Sequence, residues 1–356
     1  MNLASIPFRI TARLFKAFST ALAILCILAI APHAYSQTIS FATPERDTTN
    51  KIGGEVGETG VGAVNFNNAL YVAYAGPTIV DSSHDANVYI AYNTDGSPTY
   101  GNLHFAVNDD NFGQPVISSN NPALTVWNDA LWLATTQGND PSGDGLAFLY
   151  RSTDGIHFSG FGGVCHPDGS TADIDGSPSL VAFNGSLYLG IRDHNTHAMV
   201  LCRYGADGSI VSNEISSITS NFNPSLAVFN GQLYAAIESN NSSHTLYFYT
   251  SSDGLTFTLH TGASSDQSST APSLAVHNNV LYLGFRTNDS SQVFKYKYST
   301  DGTTFSSSIA PGWSEAGPPT LVEATNLPGS PYQGHLYVYF SSHTSAPNYL
   351  CSNHGN

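Results

Sequence analysis

Arg192, Glu238 and Arg286 are the residues of this chain whose types and spacing most resemble a chemical site. Each stands four residues after the tyrosine of a recurring Leu-Tyr pair (Tyr188, Tyr234 and Tyr282). Arginine is scarce here: past residue 36 there are only Arg46, Arg151, Arg192, Arg203 and Arg286, so two at one repeated position is informative. A guanidinium grips a carboxylate through paired hydrogen bonds, and a glutamate among such groups can take hydroxyl protons or act as an acid or base. Asp193 and Asp289 follow on the same segments. Trp313, in Pro311-Gly-Trp-Ser-Glu315, is the tryptophan expected on a loop. An indole face stacks on the apolar side of a sugar ring while carboxylates and amides take its hydroxyls. The competing reading is that Arg192, Glu238 and Arg286 pair with one another and staple neighbouring elements.

The elements that must position these residues are short strands. Asn223 to His260 reads as four in a row, with Asn230-Gly231 supplying the two φ > 0 positions of a type I′ hairpin. The unit repeats. Leu-Tyr or Leu-Trp pairs begin at Leu70, Leu131, Leu187, Leu233, Leu281 and Leu336, spaced by 61, 56, 46, 48 and 55 residues. A four-stranded unit at such a period predicts an all-β, six-bladed β-propeller of antiparallel blades, one domain over residues 37–356. The last unit lacks a fourth strand. The reading is that the N-terminal strand closes the ring, Ile39 to Ala42 pairing beside Tyr349 to Cys351 in blade six. The connections from strand two to three, and from strand four to the next blade, then share the face that carries Arg192, Asp193, Glu238, Arg286, Asp289 and Trp313.

Asp-Gly turns between strands three and four recur at Asp95, Asp154, Asp207, Asp253 and Asp301, three of them followed by Phe158, Phe257 or Phe305. The carboxylate can accept N–H groups of its own turn while glycine takes the φ > 0 position. Here the chain resembles the Asp-box (BNR) repeats of the sialidase superfamily, Ser-x-Asp-x-Gly-x-x-Trp/Phe, although glycine follows aspartate directly and Phe replaces the usual Trp. Repeats and boxes together cover nearly the whole chain past residue 36. The resemblance implies a six-bladed propeller whose five Asp turns are structural and face away from the active site. It also implies what a sialidase would need: three arginines, a tyrosine nucleophile activated by a glutamate, and an acid. Glu238, Arg192 and Arg286 could supply part of that set. The family's N-terminal Phe-Arg-Ile-Pro-type motif is missing past residue 36, Arg46 is a weak substitute, and Tyr332, Tyr337 and Tyr349 offer no clear nucleophile.

Residues 1–36 read as a secretory signal peptide, with Arg9, Arg13 and Lys16 before the apolar Ala17–Ala31 run and small residues at Ala34 and Ser36. The run is shorter than the roughly 20 residues of a spanning helix, so membrane insertion is not expected after cleavage. Losing those three basic residues takes the formal charge from −15 to −18. Such a chain repels phosphate backbones, which argues against nucleic acid as a partner. Cys165, Cys202 and Cys351 remain; a Cys165–Cys202 bridge and three free thiols are both open. The histidines show no metal-ligand spacing, so no metal or other cofactor is expected, with Asp173 and Asp175 weak calcium candidates that also suit an ordinary Asp-Gly turn. The expected protein is a secreted carbohydrate-binding propeller whose partner is a glycan or glycoconjugate. An exo-glycosidase of sialidase-like type, with Glu238 as candidate catalytic residue, and a protein-interaction scaffold are the alternatives.

Overall fold

The computed structural model describes residues 39–41, 45–46, 60–80, 85–95, 104–138, 145–161, 174–260, 266–315, 317–341 and 350–355. The expected signal segment, Cys165 and Asp173 lie outside them. The described residues form a six-bladed β-propeller with no helix.

Local sequence sets each blade. Strands one and two are joined by two-residue turns at Asn67-Asn68, Asn128-Asp129, Asn184-Gly185, Asn230-Gly231 and Asn278-Asn279, and both residues of every turn have φ between 47° and 75°. That is the type I′ geometry that asparagine and glycine tolerate. Blade one is Gly62–Phe66, Ala69–Ile79, Ala86–Asn93 and His104–Ala106; blade two is Ala123–Trp127, Ala130–Gln137, Leu146–Ser152 and Ser159–Gly160. Blade three is Ile174–Phe183, Ser186–Asp193, Ala198–Tyr204 and Ile210–Thr219; blade four is Ser225–Phe229, Gln232–Glu238, Leu246–Ser251 and Thr258–His260. Blade five has the three strands Ser273–His277, Val280–Arg286 and Phe294–Ser299. Its fourth position is an irregular segment held by Ile309, which exchanges backbone hydrogen bonds with Tyr296 at 2.8 and 3.0 Å.

Blade six is Thr320–Glu323, Leu336–Ser341 and Leu350–Gly355, with Glu45–Arg46 paired outside the last. The register differs from the sequence expectation. Glu45 lies opposite Ser352 and Arg46 opposite Cys351, while Phe41 bridges Gly355. Ile39, expected beside the end of the chain, is instead anchored to blade five. Tyr296 Oη donates to its carbonyl at 3.0 Å and accepts its N–H at 3.1 Å. With both backbone groups of Ile39 satisfied by one phenol, pairing begins further along the chain.

The core lies between blades. Six apolar clusters each join two neighbours, the sixth packing Leu70, Val72 and Tyr74 of blade one on Tyr337 and Tyr339 of blade six. Two motifs meet there. Tyr71, Tyr188 and Tyr234, from the Leu-Tyr pairs, place their hydroxyls where a Cβ on Gly155, Gly254 or Gly302 of the next Asp-Gly turn would sit. Burial pushes the Tyr71 phenol up to about 12.

Around the axis, the inner strands begin alike: Pro122-Ala-Leu124, Pro178-Ser-Leu180, Pro224-Ser-Leu226, Pro272-Ser-Leu274 and Pro319-Thr-Leu321 line a central channel. Hydroxyls stitch the ring. Ser179, Ser225 and Ser273 Oγ accept the N–H groups of Leu226, Leu274 and Leu321 of the following blade at 3.0, 2.9 and 2.9 Å. Thr320 Oγ1 donates to the Val61 carbonyl at 2.6 Å. Cys202, buried in blade three, is disulfide-bonded, so the three cysteines are not all free thiols.

Candidate functional site

Glu238 and Arg286 end the second strands of blades four and five, and Arg192 is the penultimate residue of that strand in blade three. Arg192 and Glu238 are buried and Arg286 is half-buried. Arg192 is 7% exposed and Glu238 0%. Each is held within its own blade and the connection beside it. Arg192 Nη1 donates to His197 Nδ1 at 2.8 Å and to the Ser220 carbonyl at 3.4 Å. Glu238 Oε1 meets His244 Nδ1 at 2.5 Å and accepts from Asn221 Nδ2 at 3.0 Å. Arg286 Nε donates to Ser269 Oγ at 2.9 Å and its Nη1 to the Glu315 carbonyl at 3.4 Å.

The loops that follow these anchors carry residues that sequence reasoning missed. His197, His244 and Gln292 close the three loops between strands two and three, and all are left-handed, with φ of 59°, 51° and 48°. Non-glycine residues enter that region at a cost, and it concentrates at functional positions. The loop residues hold them there. Asp193 Oδ1 accepts the Thr196 N–H at 2.6 Å, Asn241 Oδ1 the Ser243 N–H at 2.9 Å, and Asp289 Oδ1 the Ser291 N–H at 2.9 Å. Asp193 and Asp289 therefore fold the loops from within. A signal was present in the chain: Ser239-Asn-Asn-Ser-Ser-His244 and Thr287-Asn-Asp-Ser-Ser-Gln292 match in length and type behind Glu238 and Arg286.

The carbonyl of each left-handed residue accepts an N–H from the connection beside it: His197 from Ser220 at 3.0 Å, His244 from Ser268 at 3.0 Å, Gln292 from Glu315 at 3.2 Å. Ser220 and Ser268 hydroxyls then donate to the Glu238 and Arg286 carbonyls, at 2.5 and 3.1 Å. Glu315 occupies the same place with a carboxyl that is wholly buried and whose two oxygens have no hydrogen-bond partner among the described residues. Burial raises its pKa well above the usual carboxyl range, against the pull of the Arg286 guanidinium. Burial also raises Glu238, with Asn221 and His244 opposing, and lowers Arg286, with Glu315 opposing.

Trp313 lies on the connection into blade six, half-buried, and its ring is engaged by protein. It stacks on Phe294 at 5.4 Å and Phe340 at 6.0 Å and meets Phe41 edge-on at 5.6 Å. Asp175 is opposite Arg192 in the backbone register of blade three. Among the described residues no group of three His, Cys, Asp or Glu is placed to hold a metal ion. The lining of the central channel includes the polar Asn121, Ser177 and Asn223, and the channel encloses about 170 Å³. That is below the ~300–1,000 Å³ common for small-molecule pockets.

At the far ends of the strands, Asp253 and Asp301 sit in their turns. Backbone N–H groups of Thr256 and Leu255 hold the Asp253 carboxyl well below its usual range, and those of Thr304 and Thr303 do the same for Asp301. Asp154 accepts from Ile156 and His157 N–H, both at 2.9 Å. Asp207 makes a shorter turn with the Ser209 N–H and hydroxyl, and Asp95 lies on the corresponding turn of blade one.

No family model matches the chain, and no curated protein does. Solved structures do. A protein of unknown function from Dyadobacter fermentans matches with a TM-score of 0.64 at 13% identity, over 90% of this chain and 100% of that one. The Trypanosoma rangeli sialidase in complex with the inhibitor DANA matches with a TM-score of 0.54 at 14% identity, over 83% of this chain. The match spans 54% of the sialidase chain, about half its length. At these identities the likeness is one of fold: a sialidase-like six-bladed propeller.

Proposed function

We propose that this propeller is a secreted carbohydrate-binding protein and that its site is the face built on blades three, four and five. The observation that carries the reading is the repeated two-tier arrangement. Buried Arg192 and Glu238 bond the left-handed His197 and His244 that close the loops after them, and half-buried Arg286 precedes a matching loop closed by the left-handed Gln292. Pre-set polar groups on rigid strand ends can meet the hydroxyls of a saccharide at small entropic cost on binding. The sialidase named among the fold neighbours acts on glycans, which agrees with the reading. Arg192 and Glu238 serve in it as supports, and the ligand contacts fall to the histidines and Gln292.

A glycoside hydrolase is favoured by a different observation: Glu238 and Glu315 are two buried carboxyls on one face with pKa values raised by burial. Glycosidases need such a pair, one acid kept protonated.

The two readings separate in one experiment. The purified protein is applied to a glycan array and, in parallel, to a panel of fluorogenic glycosides that includes a sialoside. Binding without turnover, weakened in His244→Ala, supports the binding protein. Turnover abolished in Glu238→Gln or Glu315→Gln transfers the site to a hydrolase. Neither signal would sink both and leave a scaffold for a protein partner.

A further inference from the structure

Where the other blades join strands one and two by a two-residue turn, blade six carries residues 324–335. This longer connection is sewn into blade one. Ala324 and Leu327 are buried in the cluster shared by blades one and six, and Tyr332 packs against it. The Thr325 N–H donates to Asn65 Oδ1 at 2.9 Å, and Ser330 Oγ donates to the Asp95 carbonyl. The Ala324 N–H donates to the His335 carbonyl at 2.8 Å, so His335 closes the loop. The last strand, Leu350–Gly355, runs beside its exit, with Leu336 opposite Gly355 and Tyr337 opposite His354. That strand also takes Glu45–Arg46 and bridges Phe41. The loop thus ties blade one to the strand that completes blade six.

His335 and His354, both half-buried, join loop and strand. Their Nδ1 atoms are 3.1 Å apart and their ring centroids 5.1 Å. Whichever ring donates, the contact holds a single N–H, one Nδ1 donating and the other accepting. An imidazolium carries N–H on both nitrogens. With both rings protonated, two N–H groups therefore face each other, the hydrogen bond is lost and two like charges are set side by side. Around the pair, the Tyr332 ring lies 4.9 Å from His354 and 6.0 Å from His335, and the Tyr337 ring 5.4 Å from His354. Phenols stay neutral in acid. From blade five, buried His277 brings a third imidazole, and its Nδ1 takes up the Glu323 carboxylate of blade six at 3.1 Å. Burial, His354 and His277 all push His335 below the usual histidine range.

We propose that His335 and His354 form an acid-labile clasp: a second proton, taken from solvent, parts the two rings and releases the 324–335 loop from the last strand where the ring is closed. The clasp is at the start of the second strand of blade six, whereas Glu238 and Arg286 end the second strands of their blades. It therefore acts on ring closure, at the end of the propeller away from the candidate site. A histidine whose folded pKa lies below its unfolded value stabilises fully above that unfolded value, and the contribution is lost as pH falls through it. The clasp holds at neutral pH and weakens below about pH 6.5. Buried Glu238 and Glu315, raised by desolvation, act in the opposite sense.

The test begins with hydrogen exchange of the full wild-type protein at about pH 7 and about pH 5, corrected for the intrinsic pH dependence of exchange. Expected on acidification is a loss of protection of about tenfold in peptides spanning 324–341 and 350–355, with Ala130–Gln137 of blade two as the reference. Equal changes in both regions, or no change, would overturn the clasp. Tm is then read over the same range for the wild type, His335→Gln and His354→Gln. Glutamine keeps donor and acceptor and takes no charge. The wild type is expected to lose roughly 2 °C more than either variant between the two pH values. Parallel curves for all three proteins would overturn the proposal, and if a variant fails to fold, the wild-type exchange result decides it.

Discussion

Glu238 and Glu315 show what burial does to a carboxyl at the residue scale. Both are wholly buried with at least one oxygen unpaired among the described residues, and both are raised by desolvation. A carboxyl whose folded pKa lies above its unfolded value keeps a proton in the folded state that the unfolded chain gives up. Between those two values stability falls as pH rises, and below the unfolded value the contribution is fully present. Each unit of such a shift is worth about 1.4 kcal/mol, or roughly 2 °C in Tm for a chain of this size. Glu315→Gln is therefore expected to flatten the decline in Tm between about pH 4.5 and neutrality, read by calorimetry across a pH series. An unchanged slope would mean that Glu315 is ionised in the folded protein.

The Asp-Gly turns and the hairpin tips use the same residue, glycine at positive φ, with different consequences at the scale of the element. Gly231 (φ 71°) is at an open hairpin tip where an added Cβ meets nothing. Gly302 (φ 76°) lies against the Tyr234 hydroxyl of the preceding blade. Gly231→Ala is expected to cost about 1 kcal/mol, the backbone term alone. Gly302→Ala adds a collision with a buried phenol and is expected to cost ~2–4 kcal/mol. Urea midpoints of the two variants measure the difference; equal losses would mean that the tyrosine contact contributes nothing. Within the same turns, Ser251 Oγ donates to Asp253 Oδ1 and accepts the Gly254 N–H, both at 2.8 Å. Ser251→Ala leaves that buried N–H unpaired, an expected loss of ~1–2 kcal/mol in the same assay.

At the scale of the whole molecule, stability resides between blades, so the segment that joins the ring ends matters beyond its length. Ile39 is 4% exposed in the cluster shared by blades five and six, and Phe41 packs on Phe294, Tyr296 and Trp313. Ile39→Ala is expected to cost ~2–5 kcal/mol, and to do so cooperatively, with a single denaturation transition displaced as a whole. A separate early transition would show that blade six opens by itself.

Much of the fold was legible because its signals are local. Asn230-Gly231 demands a tight hairpin wherever it stands, alternating strands demand a sheet, and Leu-Tyr pairs at a steady interval demand repetition of one unit. The chain alone thus determined a six-bladed propeller and brought Arg192, Glu238 and Arg286 to one face, since equal offsets in equal units land at equal places. It could not determine which of those residues a ligand would touch, because exposure depends on how a loop folds back over the strand that precedes it. Only the tertiary structure decided that Arg192 and Glu238 are buried while His197 and His244, bonded to them, keep partial exposure. Sequence offset likewise did not set where the N-terminal strand pairs: the Tyr296 phenol, 257 residues away, takes both backbone groups of Ile39 and moves the register to Glu45. Contacts within a turn are written in neighbouring residues; a hydrogen bond across that distance exists only once the ring has closed around it.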